Sequence, residues 1–428
     1  MDITAASEES RQSLLTRVGI PKTISWGFLG ILFFMVGTGL ESGWLSPYLV
    51  GQGFSLKVVA AIFSAYGICV SVSAWLSGVF FEMVGAKRTM LTAFLLFVIG
   101  TTVFVALGIQ GKAEWALFAG YAIQGFSYPL FSYSFLVWIA YRANPSRMGA
   151  AYGWFWFAFS GGLSVVGAYG SDFLINSIGH TATLWTTLIW AALGAFAMII
   201  LNRDDVKPRA AAGASGRWKD LAALVTVIKA EPRLLIVLGV RIVNTLPQFA
   251  LPVFMPLYLS SLGFSTSQWL SIWGTVWLLN IVFNLISGHL GDKIGWKRTI
   301  AFVGGFCSAI SIAAFFYVPQ LFGHNYWALM IAGVALGASI SGFVPMDAVT
   351  ANLVKDNRGA SMSIMNLGAG LSTLFGPLIV GVFSGLIGYS GIAWIMCALY
   401  VCVGFSIWYV TPKDRSETET VTTVQASR

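Results

Sequence analysis

The chain of 428 residues is 57% hydrophobic and only 10% charged, and 47 of its residues are glycine. That composition excludes an ordinary soluble domain and points to a chain that lies mostly in lipid. A formal charge of +8 would suit a nucleic-acid partner in a soluble protein. Here the basic residues instead fall in alternate loops between apolar runs, which is the positive-inside pattern, and no nucleic acid is expected.

A spanning helix needs roughly 20 apolar residues to cross hydrocarbon about 30 Å thick. Twelve such runs follow one another, so the expected fold is an all-α integral membrane protein. The N-terminal segment, residues 1–22, is polar and does not read as a signal peptide. Spans 1 to 6 are expected at 23–50, 57–81, 89–109, 114–141, 148–173 and 181–201, forming one six-helix bundle over 23–201. A linker, 202–231, follows. Its first part reads KPRAAAGASG and is expected to be flexible. Its second part places Trp218, Leu221, Leu224, Val225 and Ile228 on one helical face, which suggests an amphipathic surface helix. Spans 7 to 12 are expected at 232–261, 265–288, 297–319, 326–353, 359–388 and 390–410, a second bundle over 232–410, with a polar tail at 411–428. All but three of the 25 lysines and arginines fall on one side of this arrangement, the exceptions being Lys57, Lys112 and Arg241. Both termini are therefore expected in the cytoplasm.

The two bundles look alike. Residues 77–89 read SGVFFEMVGAKRT and residues 287–299 read SGHLGDKIGWKRT, so Gly78 and Gly288 lie 210 residues apart. Gly149-Ala150 and Gly359-Ala360 repeat the same separation. Two matches at one offset predict a duplicated chain with parallel halves.

Cys69, Cys307, Cys397 and Cys402 all fall within spans, and none has metal-ligand spacing. His180, His289 and His324 lie in or beside loops with no partner at ligand spacing. No phosphate loop or nucleophile constellation is present, so neither a metal, a cofactor nor an enzymatic activity is expected.

The paired hairpins resemble motif A of the major facilitator superfamily. The first copy supplies Gly78, Glu82, Met83, Gly85, Lys87 and Arg88, and the second supplies Gly288, Asp292, Lys293, Gly295, Lys297 and Arg298. Four stretches are further similar to the bacterial polyol permeases, carriers of ribitol and arabinitol. These are GLESGWLSPYL in span 1, GFSYPLFSYSFLVWI in span 4, GWFWFAFSGGLSVVGAYGSDF in span 5 and RIVNTLPQFALPVFMPLYLSSLGFSTSQWL from span 7. The chain departs from the family pattern at three places. Tyr121 stands where the span-4 motif carries an arginine, Gln124 where polyol permeases tend to carry one, and Met83 replaces the usual basic residue of motif A. In the family, an arginine in span 4 commonly partners the carboxylate that takes the proton.

The resemblance implies two six-helix pseudo-symmetric halves and an alternating-access carrier in the bacterial inner membrane. It implies uptake of a polyol or monosaccharide with protons, by a monomer in the lipid bilayer. Uptake of a sugar acid or other organic anion, and export of drugs or metabolites, are the alternatives. The Gly-Pro pair of drug antiporters is missing from span 5 and occurs only as Gly376-Pro377 in span 11. A receptor that transports nothing would not need duplicated gates.

Such a carrier needs a polar cavity near the bilayer midplane, and charges within spans are the first candidates because each is costly in hydrocarbon. Glu41 lies roughly 25 Å along span 1 by helical rise, on one face with Thr38, Ser42 and Leu45. A buried carboxyl with no cation beside it is able to bind and release a proton, so Glu41 is the expected proton or substrate-hydroxyl site. Arg241, Asn244, Thr245 and Gln248 form one polar stripe on span 7. Arg241 is expected to pair with Asp347 of span 10. Trp273, Trp277, Asn280 and Asn284 line one face of span 8, and Tyr121, Gln124, Tyr128 and Phe131 one face of span 4. Trp154 and Trp156 of span 5 and Asn366 of span 11 complete the set. Aromatic rings stack on the C–H faces of polyols and amides bond hydroxyl pairs, which suits a neutral hydroxylated ligand. By resemblance, Gly78, Glu82, Gly85, Lys87 and Arg88, with Gly288, Asp292, Gly295, Lys297 and Arg298, latch the cytoplasmic gate. Carboxylates near helix N-termini would favour such contacts.

Overall fold

The computed structural model describes residues 18–144, 147–206, 226–353 and 358–410. The linker stretch KPRAAAGASG, most of the expected amphipathic helix and the C-terminal tail lie outside the described residues. Among the described residues every regular element is a helix. The spanning helices are α1 (Ser25–Gly39), α2 (Leu56–Val84), α3 (Ala86–Gln110), α4 (114–142, in two pieces), α5 (148–178), α6 (His180–Leu201), α7 (Arg233–Ser261), α8 (Thr266–Ile294), α9 (Trp296–Phe322), α10 (Tyr326–Ile340, resumed at Met346–Leu353), α11 (358–387) and α12 (389–406). Nine stretches among the described residues are long and apolar enough to cross a bilayer by length and composition. The ninth, Ile364–Tyr409, holds both α11 and α12 because the chain turns at Gly388. The turn at Phe126 leaves each piece of α4 too short to be counted, whereas α5 is continuous through the π-helical stretch Gly161–Val166 and is not among the nine.

The turns repeat the duplication. Apart from Gly19, the positive-φ residues among those described come in pairs: Gly53 and Gly263 (101° and 91°), Gly85 and Gly295 (92° and 94°), Lys112 and Gly323 (54° and 63°), Gly179 and Gly388 (83° and 67°). Each pair is separated by 209 to 211 residues. The hydrogen bonds repeat with them. Phe54 N donates to Leu49 O at 3.3 Å and Phe264 N to Leu259 O at 3.0 Å. The Oγ of Ser55 accepts from Val58 N, and that of Ser265 from Gln268 N. Gly85 and Gly295 join α2 to α3 and α8 to α9 with ψ of 163° and 143°. This is a region that essentially only glycine occupies without strain.

Contacts divide the chain into two units. The first runs to Ser42 and resumes at Leu76, ending in the central linker; the second is Gly43–Trp75 with the chain after the linker. In the first unit α1 packs on α5 and α6, and α3 on α4. These approaches are backbone to backbone. A Cβ on Gly30 would stand 3.0 Å from Gly194 O, and one on Gly120 would stand 2.5 Å from Phe104 N. With no hydrophobic force between helices in lipid, such close van der Waals packing at small residues is what holds them. In the second unit α7 packs on the run that holds α11 and α12, and α8 on α10. The short helix Leu45–Gly51 is tied there by Ser46 Oγ, which donates to Val253 O at 2.6 Å. Gly67 of α2 lies against the Thr373–Leu374 backbone.

Several buried hydroxyls satisfy themselves locally. Ser64, Ser71 and Thr89 each donate to the carbonyl four residues earlier, as hydrocarbon requires. Large apolar side chains such as Leu285, Leu321, Ile331 and Leu386 point outward, which in a membrane means toward lipid.

Candidate functional site

The first unit builds one site around Glu41. This residue sits in the turn 40–44 that ends α1, where Ser42 N donates to Gly39 O at 3.0 Å. Gly39 fixes that turn, since a Cβ there would stand 2.1 Å from Leu163 O of α5. Gln124 lies in the last turn of the first piece of α4, which ends at Gly125, and its carbonyl accepts from Ser127 Oγ at 2.7 Å. Gly100 of α3 presses on the same point, its Cβ position lying 2.6 Å from Gln124 N. The two side chains so positioned meet: Gln124 Nε2 donates to Glu41 Oε1 at 2.9 Å. Glu41 is 2% exposed and Gln124 1%. No basic side chain forms an ion pair with Glu41 among the described residues. Gln124 Oε1 is buried without a hydrogen-bond partner. Tyr121, one turn before Gln124, is buried and interacts electrostatically with Glu41. Nearby aromatics converge on Phe159, whose ring lies 6.1 Å from that of Tyr128 and 5.4 Å from that of Trp156. Trp154 is elsewhere engaged, its Nε1 donating to Val18 O at 3.0 Å.

The second unit carries a different cluster. Arg241 Nη1 donates to Asn244 Oδ1 at 3.0 Å, and Thr245 Oγ1 donates to Arg241 O at 2.8 Å. The polar stripe of α7 is thus partly self-satisfied. Tyr400 Oη of α12 donates to Asn244 O at 3.2 Å. The aliphatic stem of Arg241 lies on Gly368, and Arg241 Nε is buried with no partner. The ion pair expected between Arg241 and Asp347 is not made. The guanidinium turns to Asn244 while Asp347 stands exposed at the start of Met346–Leu353, and the two interact only as charges at longer range. Trp269, Trp273 and Trp277 form a ladder with centroid spacings of 5.2 and 5.6 Å. Trp269 Nε1 donates to Gly43 O at 2.8 Å, whereas Trp277 Nε1 is buried and unpartnered. Asn280 is occupied as a tie between helices, donating to Gly337 O at 2.8 Å and accepting from Asn284. Gln248 and Asn366 are half-buried.

The motif hairpins also differ from each other. Glu82 and Asp292 both fall in the last turn of their own helices, α2 and α8. At these C-terminal ends the backbone dipole of their own helices opposes a negative charge, so it does not itself favour the carboxylates. Glu82 accepts from Tyr141 Oη at 3.4 Å. Lys87 Nζ donates to Asn202 O at 2.8 Å, Lys87 N to Asp205 Oδ1 at 3.4 Å, and Ala86 N to Val206 O at 3.0 Å. The first hairpin therefore grips the chain that leaves α6. Asp204 completes that grip. It receives two hydrogen bonds from the Arg142 guanidinium and one from Trp138 Nε1 at 3.3 Å. Partial burial works against its charge, but the donors of Arg142 and Trp138 outweigh that and hold the carboxyl below the usual range. Arg142, Trp138 and Asp204 were not singled out from the sequence. Their signal was an acidic pair, Asp204-Asp205, in an otherwise basic loop. No hydrogen bond or ion pair links the side chains of Arg88, Asp292, Lys297 or Arg298 to the described residues. Gly78 and Gly288 occupy equivalent places, each with its Cβ position 3.9 Å from a valine, Val137 or Val344.

Comparison with known proteins follows the same lines. The profile of the Major Facilitator Superfamily matches residues 27–323 and 310–426. The chain belongs to the Major Facilitator Superfamily. The "Alpha-ketoglutarate permease" of Bacillus subtilis (strain 168) is 41% identical over 95% of this chain and 93% of its own. The "D-arabinitol transporter" of Klebsiella pneumoniae is 36% identical over 91% of this chain and 92% of its own. The "Ribitol transporter" of the same organism is also 36% identical, over 90% and 91%. A solved structure of a D-xylose-proton symporter superposes with a TM-score of 0.68 at 18% identity, over 91% of this chain and 97% of that one, which speaks for the fold alone. This member of the superfamily is accordingly a multi-pass membrane transporter of small molecules with two pseudo-symmetric halves, and not an enzyme.

Proposed function

We propose that the chain takes up a polyol or related monosaccharide by alternating access, with a proton carried on Glu41. The observation that supports this most is the buried Glu41–Gln124 pair. A carboxyl group held by a neutral amide, with no cation to keep it ionised, suits a group that must be protonated and deprotonated in turn. The relatives named as arabinitol and ribitol transporters support the substrate class. Aromatic rings around Tyr128 and Trp156, and the tryptophan ladder of α8, supply faces for C–H groups. The carrier sits in the inner membrane with both termini in the cytoplasm, as the basic loops favour. The motif hairpins latch and release its cytoplasmic side.

A second reading, uptake of a small organic anion, is favoured by the relative named as an α-ketoglutarate permease and by Arg241, which has no carboxylate within ion-pair distance among the described residues. Against it, Arg241 is the one basic residue deep in a span, and a dicarboxylate needs more compensation than one guanidinium gives.

Uptake of labelled ribitol and arabinitol into vesicles, with and without an imposed proton gradient, tests the proposal. Gradient-stimulated uptake that unlabelled α-ketoglutarate leaves untouched is expected. Uptake of α-ketoglutarate with no polyol or pentose transport would replace the first reading with the second.

A further inference from the structure

Gln124 offers a buried acceptor that nothing among the described residues satisfies. Its Nε2 is committed to Glu41 Oε1 at 2.9 Å, and its Oε1 has no partner. An ionised carboxylate only accepts hydrogen bonds, so ionised Glu41 has nothing to give this atom; a protonated carboxyl has one O–H to donate. A buried acceptor left unmade carries a free-energy penalty. The terminal torsions of glutamate and glutamine are broad and two-fold, so a turn of the carboxyl brings its second oxygen opposite Oε1 without moving the backbone. The backbone itself is held on both sides by the contacts at Gly39 and Gly100.

We propose that Gln124 is the residue that holds the proton on Glu41. In the protonated state the two side chains form an acid–amide pair closed by two hydrogen bonds, Gln124 Nε2–H to Glu41 Oε1 and Glu41 Oε2–H to Gln124 Oε1. The proton comes from water on one side of the membrane and returns to water on the other, and no other bond is made or broken. Tyr121 is the titratable neighbour that interacts electrostatically with Glu41, and no basic side chain pairs with Glu41 among the described residues. An amide carbonyl has a second lone pair, so the carboxamide that holds the proton also accepts from a substrate hydroxyl. Gln124 is in this sense a positioning residue for the proton as well as a contact for the sugar. The inference rests on the reading of Glu41 as the proton site.

Infrared difference spectra of the full-length reconstituted protein, acid minus alkaline, test it without a substrate. A carboxyl C=O band that is absent in Glu41→Gln identifies Glu41. In Gln124→Leu, and in Gln124→Met as a second variant, this band is expected at higher frequency because the acid has lost both partners. Proton-driven ribitol accumulation is expected to fall roughly ten-fold in either variant, the ratio that two neutral hydrogen bonds carry together. The exchange Glu41→Gln with Gln124→Glu is expected to regain part of what each single change loses. A Glu41 band that stays in place in both Gln124 variants overturns the proposal while leaving Glu41 as the proton site. Accumulation that survives Glu41→Gln overturns the underlying reading instead.

Discussion

The two halves of the chain share their turns and differ in their charges. Gly85 and Gly295 adopt nearly the same backbone conformation 210 residues apart. The buried polar clusters of the two units differ in sign. The first unit buries a carboxyl with an amide and no cation, Glu41 with Gln124. The second holds a part-buried guanidinium with an amide and, among the described residues, no carboxylate in ion-pair reach, Arg241 with Asn244. A turn with φ near 90° leaves little choice but glycine, so both copies keep it. A polar side chain is held only by what it must bind. On the proposed reading the duplicated frame serves two tasks, a titrating site in one half and a donor site in the other.

The sharpest test of this division compares Glu41→Gln with Arg241→Gln. The first is expected to abolish accumulation against a gradient while counterflow exchange continues. The second is expected to raise the half-saturation concentration roughly ten-fold, as loss of a hydrogen bond to a charged donor would, with the proton dependence of uptake intact. Loss of proton dependence in Arg241→Gln would erase the distinction between the halves. The shared turns give the complementary test. Gly85→Ala and Gly295→Ala should each cost about 1–3 kcal/mol, the range for a side chain forced into a glycine-only region. Thermal unfolding followed by tryptophan fluorescence should show two shifts of similar size, and one silent position would mean that the turns are not equivalent.

Much of the frame was legible because lipid and backbone sterics act locally. Hydropathy located the spans, and the repeated Gly-x-Lys-Arg-Thr found the duplication. A third match at the same separation, Gly53-Phe54-Ser55 with Gly263-Phe264-Ser265, was missed although it marks equivalent turns and equivalent serine caps. The sequence predicts one unbroken first span over 23–50. Its apolar run hides the turn at Leu40, which is set by α5 lying against Gly39 and not by any local breaker. The hairpin helices also run longer than hydropathy suggested, α2 to Val84 and α8 to Ile294, because polar motif residues continue the helix past the apolar run. In the site, helical period put Gln124 on one face with Tyr121 and Tyr128. It had no means of joining Gln124 to Glu41, 83 residues away. Equal depth along two spans suggested Arg241 with Asp347, but depth says nothing about which way a long side chain turns, and Asn244, one turn away on the same helix, was the nearer partner.

The smallest expected effects concern the hairpins, where the halves differ in what their basic residues hold. Lys87 grips the chain after α6 and acts beside the Arg142–Asp204 pair, whereas Lys297 reaches no described partner. Asp204→Asn should cost about 1 kcal/mol, since the pair is bidentate but partly exposed. Lys87→Ala should cost a similar amount and Lys297→Ala less than about 0.5 kcal/mol, as for an unengaged surface side chain. The pH dependence has a definite sign. The carboxyl of Asp204 lies below its ordinary value in the folded protein, so its contribution is complete above the unfolded value of about 3.9 and is lost as the pH falls through the folded value. The stability gap between the wild type and Asp204→Asn should thus stay flat between about pH 5 and 8 and narrow only in acid below about pH 4. A gap that opens or closes near neutrality would mean that a different group, and not the Asp204 carboxylate, fastens the end of α6 to the first hairpin.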